Sequence, residues 1–104
     1  MKDNICIMLT TIDNKKYAKK ITRHLLKTKL AACIQQNSIK SRYVWENRIV
    51  CEKEFLLNIK TTLKNRKKIK RYLAKHHPYK VPECIAIKGK CAKNYKKWLD
   101  CALT

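Results

Sequence analysis

Residues that interrupt regular structure are scarce in this sequence, and so are acids. Its 104 residues include one glycine, two prolines and seven acidic side chains. With no linker, repeat or Gly/Ser-rich stretch, we expect a single domain over residues 1–104. No apolar run approaches the roughly 18 residues of a membrane helix, and the first ten residues lack a signal-peptide pattern. We therefore expect a cytoplasmic protein with no membrane partner.

The motifs of common catalytic centres are also missing. There is no H-E-x-x-H, no Gly-rich phosphate loop and no C-x-x-C, so the sequence offers neither a zinc ribbon nor a redox motif. We expect a protein that is not an enzyme. The six cysteines, at positions 6, 33, 51, 84, 91 and 101, are expected to be reduced and to act as small buried apolar residues.

The net charge of +19 is the most extreme property of the chain. It allows two interpretations, selected binding of a polyanion or compositional drift on a solvated surface. Lys, Ile and Asn, which all have codons made of A and T alone, supply 39 of the 104 residues, and lysines outnumber arginines 21 to 5. Drift is favoured, because nucleic-acid binders usually carry more Arg. Any binding of nucleic acid is expected to be nonspecific and to weaken with salt.

Hydrophobic periodicity predicts an α+β domain. The predicted elements, in order, are a strand over 4–11, a helix over 14–29, strands over 33–45 and 49–61 joined by a turn at 46–48, a helix over 64–76, a buried strand over 84–87 and a terminal helix over 94–103. Asp13 is expected to cap the first helix. The helix residues expected to face inward are Tyr17, Ala18, Ile21, Leu25 and Leu26, then Ile69, Tyr72, Leu73 and His76, then Tyr95, Trp98, Leu99 and Ala102. The order βαββαβ plus a helix is that of the ferredoxin-like sandwich, with one sheet and helices on one face.

The predicted hairpin is too long for the core of such a domain. Thirteen residues from Cys33 to Trp45 would span about 43 Å at ~3.3 Å per residue. A compact chain of this length has a radius of gyration of about 13 Å. The far end of the hairpin carries Tyr43, Val44, Trp45 and Ile49. An overhanging apolar hairpin with open edges favours pairing with another subunit.

Short motifs along almost the whole chain resemble the CutA family, the divalent-cation tolerance proteins. In order, they are Lys29-Leu30-Ala31-Ala32-Cys33, Tyr43-Val44-Trp45-Glu46, Glu52 and Glu54 ahead of Lys60-Thr61-Thr62, His76-His77-Pro78-Tyr79 with Pro82-Glu83, and Trp98-Leu99. Each motif alone is weak, but their order and spacing together are specific. The resemblance implies a ferredoxin-like fold and a homotrimer in which the hairpins join sheets across subunits, as in PII-type signalling proteins.

The resemblance also implies a link to copper and other divalent metals, with one Cu²⁺ per subunit. In bacterial members, copper ligation is assigned to a Cys at the end of the first strand and to two histidines, which here are His76 and His77. Counting back from the shared Lys29, the Cys position falls on Thr10, whose hydroxyl is a poor copper ligand beside a thiolate. In the hairpin turn, Asn47 stands where the family usually has Gly, and Asn tolerates that backbone.

Each candidate site also has a structural interpretation. A histidine at a helix end can bind Cu(II), or it can face the last carbonyls of the helix. Glu52 and Glu54, which share a strand face with Lys60, can act as acid and base or hold a hard cation, or they can form salt bridges to a lysine such as Lys60. The possible cleft residues are Glu52, Glu54, Lys60, Tyr79 and Glu83. The aromatic residues that can stack on a ligand or pack at a subunit seam are Tyr43, Trp45, Tyr79 and Trp98. Three functions stay open: a metal-binding trimer, a PII-like small-ligand sensor, and a nonspecific nucleic-acid binder.

Overall fold

Four antiparallel strands and three α-helices make up the protein in a computed structural model that describes residues 4–104. The elements are β1 (Asn4–Ile12), α1 (Lys15–Lys27), β2 (Cys33–Trp45), β3 (Arg48–Thr61), α2 (Arg66–His76), β4 (Ile85–Lys90) and α3 (Lys93–Ala102), with a 3-10 turn at Leu63–Asn65. The sheet order is β2-β3-β1-β4. This confirms the predicted ferredoxin-like α+β fold. Residues 1–3, part of the segment searched for a signal pattern, lie outside the described range.

The core lies between one face of the sheet and the helices α1 and α2. Side chains alternate along a strand, so every second residue of β1 and β3 points to these helices. The buried cluster consists of Cys6, Met8, Ile12, Ala18, Ile21, Leu25, Ala31, Leu57, Ile59, Ile69 and Leu73. Ile5 and Leu99 are buried outside this cluster. In residues 4–104, no helix is both long and apolar enough to cross a membrane.

Several residues expected to face inward are exposed. Tyr17 and Leu26 flank the buried stripe of α1 on its two sides and are 41% and 40% exposed. His76 is exposed because it lies in the last turn of α2, and Trp98 is also exposed. The expectation for cysteine was largely wrong, since only Cys6 is fully buried and the others are partly or largely accessible.

The cap of α1 is Asn14 rather than Asp13. The side chain of Asn14 accepts a hydrogen bond from the backbone N–H of Tyr17 at 3.1 Å. A capping side chain must stand directly before the first helical residue to reach that N–H. Because α1 begins at Lys15, one residue later than predicted, Asp13 is left outside the cap and lies in the cleft described below.

The hairpin of β2 and β3 projects beyond the rest of the sheet, as predicted. Strand β1 pairs with β3 only from Phe55 onward, so residues 48–54 of β3 pair with β2 alone. The molecule consequently measures 44 × 24 × 22 Å. The tip turns through Glu46 and Asn47, both at positive φ, which is the conformation of a tight two-residue hairpin turn. Val44 and Ile49 at the tip are 72% and 82% exposed.

The second face of the sheet is apolar and incompletely covered by this chain. Ile85 and Ile87 of β4 stand opposite Leu9 and Ile7 of β1 in the register, on the face that points away from the core cluster. Ile85 and Ile87 are nearly half exposed, so the expectation that this strand is buried was wrong. Strand β4 lies at one edge of the sheet and pairs with β1.

Candidate functional site

A cleft of about 740 Å³ opens where the projecting hairpin meets the loop after α2. Strand β1 contributes Thr11, next to its last residue, and Asp13, directly after the strand, also lines the cleft. The hairpin contributes aromatic and acidic side chains, and the loop contributes residues 79–81 and 83. A cavity of this size falls in the range of roughly 300–1,000 Å³ typical of small-molecule sites. The cleft therefore brings together residues that are up to 72 positions apart in the sequence.

Carboxylates are concentrated in this cleft. Four of the seven acids of the chain line it, although the whole chain carries a net charge of +19. These four are Asp13, Glu52, Glu54 and Glu83. Two cationic side chains, Arg42 and Lys80, line the cleft as well. The balance of charge inside the cleft is thus negative, opposite in sign to that of the molecule.

Two of the carboxylates are bonded to tyrosines. The hydroxyl of Tyr79 donates to Oε2 of Glu54 at 2.6 Å, and the hydroxyl of Tyr43 donates to Oε1 of Glu52. Glu54 is 8% exposed and therefore buried in the cleft wall. In each carboxylate, the second oxygen makes no hydrogen bond within residues 4–104. Each glutamate is thus held in place through one oxygen while the other remains a potential ligand atom.

The alternative of a Lys60 salt bridge is wrong. The ammonium group of Lys60 donates to the side-chain oxygen of Gln35 at 2.5 Å. Lys60 and Glu52 do share a strand face, as predicted, but eight residues of strand separate them by about 26 Å. Over the described range, the only ion pair joins Lys96 and Asp100. Lys60 therefore does not belong to the cleft.

Burial and hydrogen bonding to the glutamates raise the pKa of both phenols. For Tyr43, the hydrogen bond to Glu52 is the largest cause, and it raises the pKa to about 12. For Tyr79, burial is the largest cause of a raised pKa, followed by the hydrogen bond to Glu54 and the charges of Glu54, Asp13 and Glu52. Both hydroxyls consequently stay protonated and continue to donate at neutral pH. Asp13 lines the same cleft, and its negative charge acts in the same direction on both phenols.

His77 supports the wall of the cleft. It is 7% exposed, and both of its ring nitrogens are in hydrogen bonds. Its Nε2 atom lies 2.8 Å from the backbone oxygen of Thr11, and its Nδ1 atom accepts from the backbone N–H of Tyr79 at 3.1 Å. The ring thus connects the end of β1 to the loop that carries Tyr79. To ligate a metal, His77 would have to give up one of these hydrogen bonds.

His76 lies in a different environment. It is exposed at the end of α2, and its ring packs on Tyr72 with centroids 4.5 Å apart. Tyr72 also stacks on His24 of α1, at 4.1 Å and nearly parallel. The ring nitrogens of His76 have no hydrogen-bond partner in the described part of the chain. The two adjacent histidines therefore contact different parts of the structure, and His24 joins His76 in a stack that the sequence did not indicate.

Thr10 is fully buried and faces the core. Its hydroxyl has no hydrogen-bond partner within residues 4–104. Among residues 4–104, no three or more His, Cys, Asp or Glu side chains lie close enough together to hold a metal ion. A single described chain therefore offers at most part of a metal coordination shell.

Several members of the cleft were missed at the sequence level, and Asp13 is the acidic one among them. Asp13 was interpreted as a helix cap, yet it lines the cleft with the three glutamates. The available signal was its position directly after a strand, at the edge of a sheet where functional side chains often collect. The pairing of Tyr43 with Glu52 follows from the hairpin register, which places Tyr43 opposite Val50, two pairs closer to the tip than Ser41 and Glu52 and therefore on the same face.

Comparison with known proteins gives one consistent family. The family model of the CutA1 divalent ion tolerance protein matches residues 6–102. The divalent-cation tolerance protein CutA of Thermotoga maritima is 34% identical over 94 residues, covering 89% of this chain and 93% of the relative. The structure of CutA from Synechococcus elongatus superposes with a TM-score of 0.92 at 28% identity, covering 98% of this chain and 92% of that one. The Archaeoglobus fulgidus CutA structure, described as periplasmic, gives 0.91 at 28% identity, covering 96% and 99%.

Proposed function

This chain belongs to the CutA1 divalent ion tolerance family, and we propose that it acts as a homotrimer that binds divalent cations in the acidic cleft. The observation that carries this proposal is the gathering of four of seven acids in one cavity of a strongly basic protein. Elsewhere on such a molecule, the net positive charge repels cations. The cleft is the place where a divalent cation finds a favourable local potential. The proposed role is one of binding, without catalysis.

The donor set of the cleft suits hard divalent ions. Carboxylate oxygens are preferred ligands of Mg²⁺, Ca²⁺ and Mn²⁺. Glu52 and Glu54 each keep one oxygen without a hydrogen bond in the described chain. Because no three ligand residues converge in residues 4–104, the proposed shell is completed by water or by a second subunit. Such a site discriminates little among divalent ions.

For copper, we propose a second set of ligands outside the carboxylates of the cleft. The exposed imidazole of His76 carries no hydrogen bond in the described range, and this specifically favours it as a Cu²⁺ ligand, one ion per subunit. His77 would join it after releasing the N–H of Tyr79 or the oxygen of Thr11. Thr10 has no thiolate to offer, so we expect weak copper binding and a gain in affinity for Thr10→Cys.

The proposed trimer rests on two uncovered apolar surfaces. One is the outer sheet face with Ile85 and Ile87, and the other is the hairpin tip with Val44 and Ile49. Contiguous exposed apolar surface of this kind marks interfaces. The side-chain oxygen of Asn58, also on the outer face, is buried without a partner in the described range, and a neighbouring subunit would supply one. Light scattering should give three times the chain mass of 12.3 kDa, and Ile87→Lys should reduce it.

The proposed location is the cytoplasm. Cys6, Cys33, Cys51, Cys84 and Cys101 are free thiols, two of them exposed, and exposed thiols persist in a reducing compartment. Burial raises the pKa of the Cys6 and Cys84 thiols, which further slows their oxidation. Detection of the native protein in a periplasmic or secreted fraction would contradict this part of the proposal.

A small organic ligand is the second candidate occupant of the cleft. The volume of about 740 Å³ and the aromatic walls formed by Tyr43, Trp45 and Tyr79 favour it, because a bare ion needs far less space. A PII-like sensor would bind such a ligand between subunits. Thermal-shift screening of common metabolites, with and without divalent ions, separates a metabolite site from an ion site.

The decisive experiment compares two variants that lose the same charge. Calorimetric titration with Mn(II), Zn(II) and Cu(II) is applied to the wild type, to Glu52→Gln/Glu83→Gln in the cleft, and to Glu46→Gln/Asp100→Asn outside it. The cleft variant is expected to bind Mn(II) and Zn(II) at least about tenfold more weakly, or ~1.4 kcal/mol, while the outer variant keeps its affinity. Equal losses in both variants would show that net charge, and not the cleft, governs binding.

The copper site has its own control. His76→Ala should lower Cu(II) affinity and leave Mn(II) affinity unchanged, because Mn(II) prefers oxygen ligands. If His76→Ala binds Cu(II) as the wild type does, the histidine site is wrong and the cleft remains the only candidate.

A further inference from the structure

The face formed by α1 and α2 carries an extreme density of positive charge. Of the 24 residues in these two helices, 12 are Lys or Arg and none is Asp or Glu. All 12 cationic side chains are exposed. The acids within residues 4–104 lie in other segments, four of them in the cleft. Cations are therefore not mixed with acids within these two helices, although exposed lysines also occur elsewhere on the chain.

The two helices form one continuous surface. Their apolar stripes, which include Ile21 and Leu25 on α1 and Ile69 and Leu73 on α2, share the core cluster under the same sheet face. The ring of His24 on α1 stacks on Tyr72 of α2 at 4.1 Å, which fixes the helices side by side. Their polar sides consequently face the same direction, away from the sheet. Charges that are 39–60 residues apart in sequence become neighbours on this face.

This arrangement lacks internal compensation. Lys15, Lys19, Arg23 and Lys27 follow one another at intervals of four residues, and like charges at this spacing repel each other on a helix. In α2, Arg66, Lys67 and Lys68 occupy the first turn, where the positive end of the helix dipole disfavours cations. Neither helix has an acid in its first turn. Neutralisation must come from anions outside the chain.

We propose that the α1–α2 face binds the phosphate backbone of nucleic acids without reading their sequence. Nine of its twelve cations are lysines, which act as point charges on phosphates and lack the planar fork with which Arg reads base edges. Helix α1, 13 residues long, extends for about 20 Å. Over that distance, a duplex presents about a dozen phosphate charges. The face thus matches a polyphosphate chain in charge and in length.

The same geometry disfavours an anionic membrane as the partner. Membrane-surface helices insert an apolar side between the lipid headgroups. In α1 and α2, that side is occupied by the core, with Ile21, Leu25, Ile69 and Leu73 at most 1% exposed. Apart from Tyr17 and Leu26 at the edges of the α1 stripe, what these helices present to a partner is mainly charge, which suits a flexible or helical phosphate backbone in solution.

The test measures binding of a labelled random-sequence duplex of about 20 base pairs by fluorescence anisotropy, at several salt concentrations from about 50 mM upward. If the lysines and arginines of the face neutralise about five phosphates of the duplex, the expected slope of log K against log salt concentration is about −4.5. The helix-face variant is Lys19→Gln/Lys20→Gln/Lys67→Gln/Lys68→Gln. The matched control, Lys40→Gln/Lys53→Gln/Lys93→Gln/Lys97→Gln, loses the same charge from other exposed positions.

The helix-face variant should bind at least about tenfold more weakly, with a shallower slope, while the control stays within about twofold of the wild type. Equal weakening would assign binding to net charge and overturn the proposal. So would absence of binding at low salt, preference for one sequence, or tighter binding to phosphatidylserine vesicles. Lysine acetylation of the unmodified protein provides a test that needs no variant: bound duplex should protect the lysines of α1 and α2, and unchanged labelling there would also overturn the proposal.

Discussion

The backbone N–H of Tyr79 donates to Nδ1 of His77 at 3.1 Å, and this contact determines which ring nitrogen of His77 carries the proton. A backbone N–H can only donate, so Nδ1 is unprotonated. The proton is therefore on Nε2, which donates to the oxygen of Thr11 at 2.8 Å. The same loop then places the hydroxyl of Tyr79 on Glu54. A buried neutral imidazole thus aligns β1, the loop after α2 and a carboxylate of the cleft.

Replacing His77 should destabilise the protein far more than replacing its neighbour. His77→Ala leaves a partly buried N–H and a buried carbonyl without partners, which costs about 2–3 kcal/mol. His76→Ala removes an exposed ring and should cost less than about 1 kcal/mol. Urea denaturation of both variants measures the difference. Equal and small losses would show that the His77 hydrogen bonds contribute little.

Two buried threonines should respond in opposite ways to loss of the hydroxyl. Thr10 and Thr61 are both 0% exposed. The hydroxyl of Thr61 donates to the oxygen of Leu30 at 2.5 Å, whereas that of Thr10 has no partner in the described chain. Thr10→Val should be neutral or stabilising, by up to about 1 kcal/mol, because it removes an unsatisfied polar group. Thr61→Val should cost about 1–2 kcal/mol. A clear loss of stability in Thr10→Val would mean that its hydroxyl has a partner after all.

The charge of Glu52 should control the titration of Tyr43. Glu52→Gln keeps an acceptor for the phenol but removes the negative charge, so the pKa of Tyr43 should fall from about 12 toward its ordinary value of 10.0. Because the folded pKa lies above the ordinary one, this contact stabilises the fold below pH 10, and the contribution disappears as the pH rises from 10 to 12. Ultraviolet absorbance titration should show Tyr43 titrating at lower pH in Glu52→Gln, with a smaller decrease for Tyr79, whose pKa the charge of Glu52 also raises. Glu46→Gln is the control, and an identical shift there would contradict the assignment.

The hairpin turn should accept a sequence better suited to its backbone. Glu46 and Asn47 have φ values of 48° and 62°, in the left-handed region that favours Asn and Gly. Glu46→Asn/Asn47→Gly should therefore raise the free energy of unfolding by about 1 kcal/mol. The control is Gly89→Ala, at a position with negative φ and open space around the added methyl group, where the change should be small. A destabilised double variant would show that the side chain of Glu46, bonded to Trp45 Nε1, matters more than the backbone.

The sequence was sufficient to predict the order of elements and the protruding hairpin. Ile5, Ile7 and Leu9 alternate as a strand requires, and the helical stripes of α1 and α2 recur at three and four residues. The first and last residues of the elements were predicted less accurately. The cap of α1 is Asn14 instead of Asp13, because a shift of one residue changes which side chain can reach the N–H of Tyr17. The shared strand face of Glu52 and Glu54 was also predictable from a period of two.

The sequence alone determined the hydrophobic periodicity of this protein, its net charge and the ordered series of motifs that identify its family. Only the tertiary structure decided the partners of its polar side chains. The fold brings Tyr79 into a hydrogen bond with Glu54, and His77 into one with Thr11. It places Lys60 at the end of β3 that lies far from the cleft, where it contacts Gln35. It also sets two basic helices side by side, so that they form one face. Periodicity is a local property that each segment carries by itself. A hydrogen bond between residues 25 or 66 positions apart in the sequence depends on how the sheet and its loops fold back on one another. No local pattern encodes such a contact.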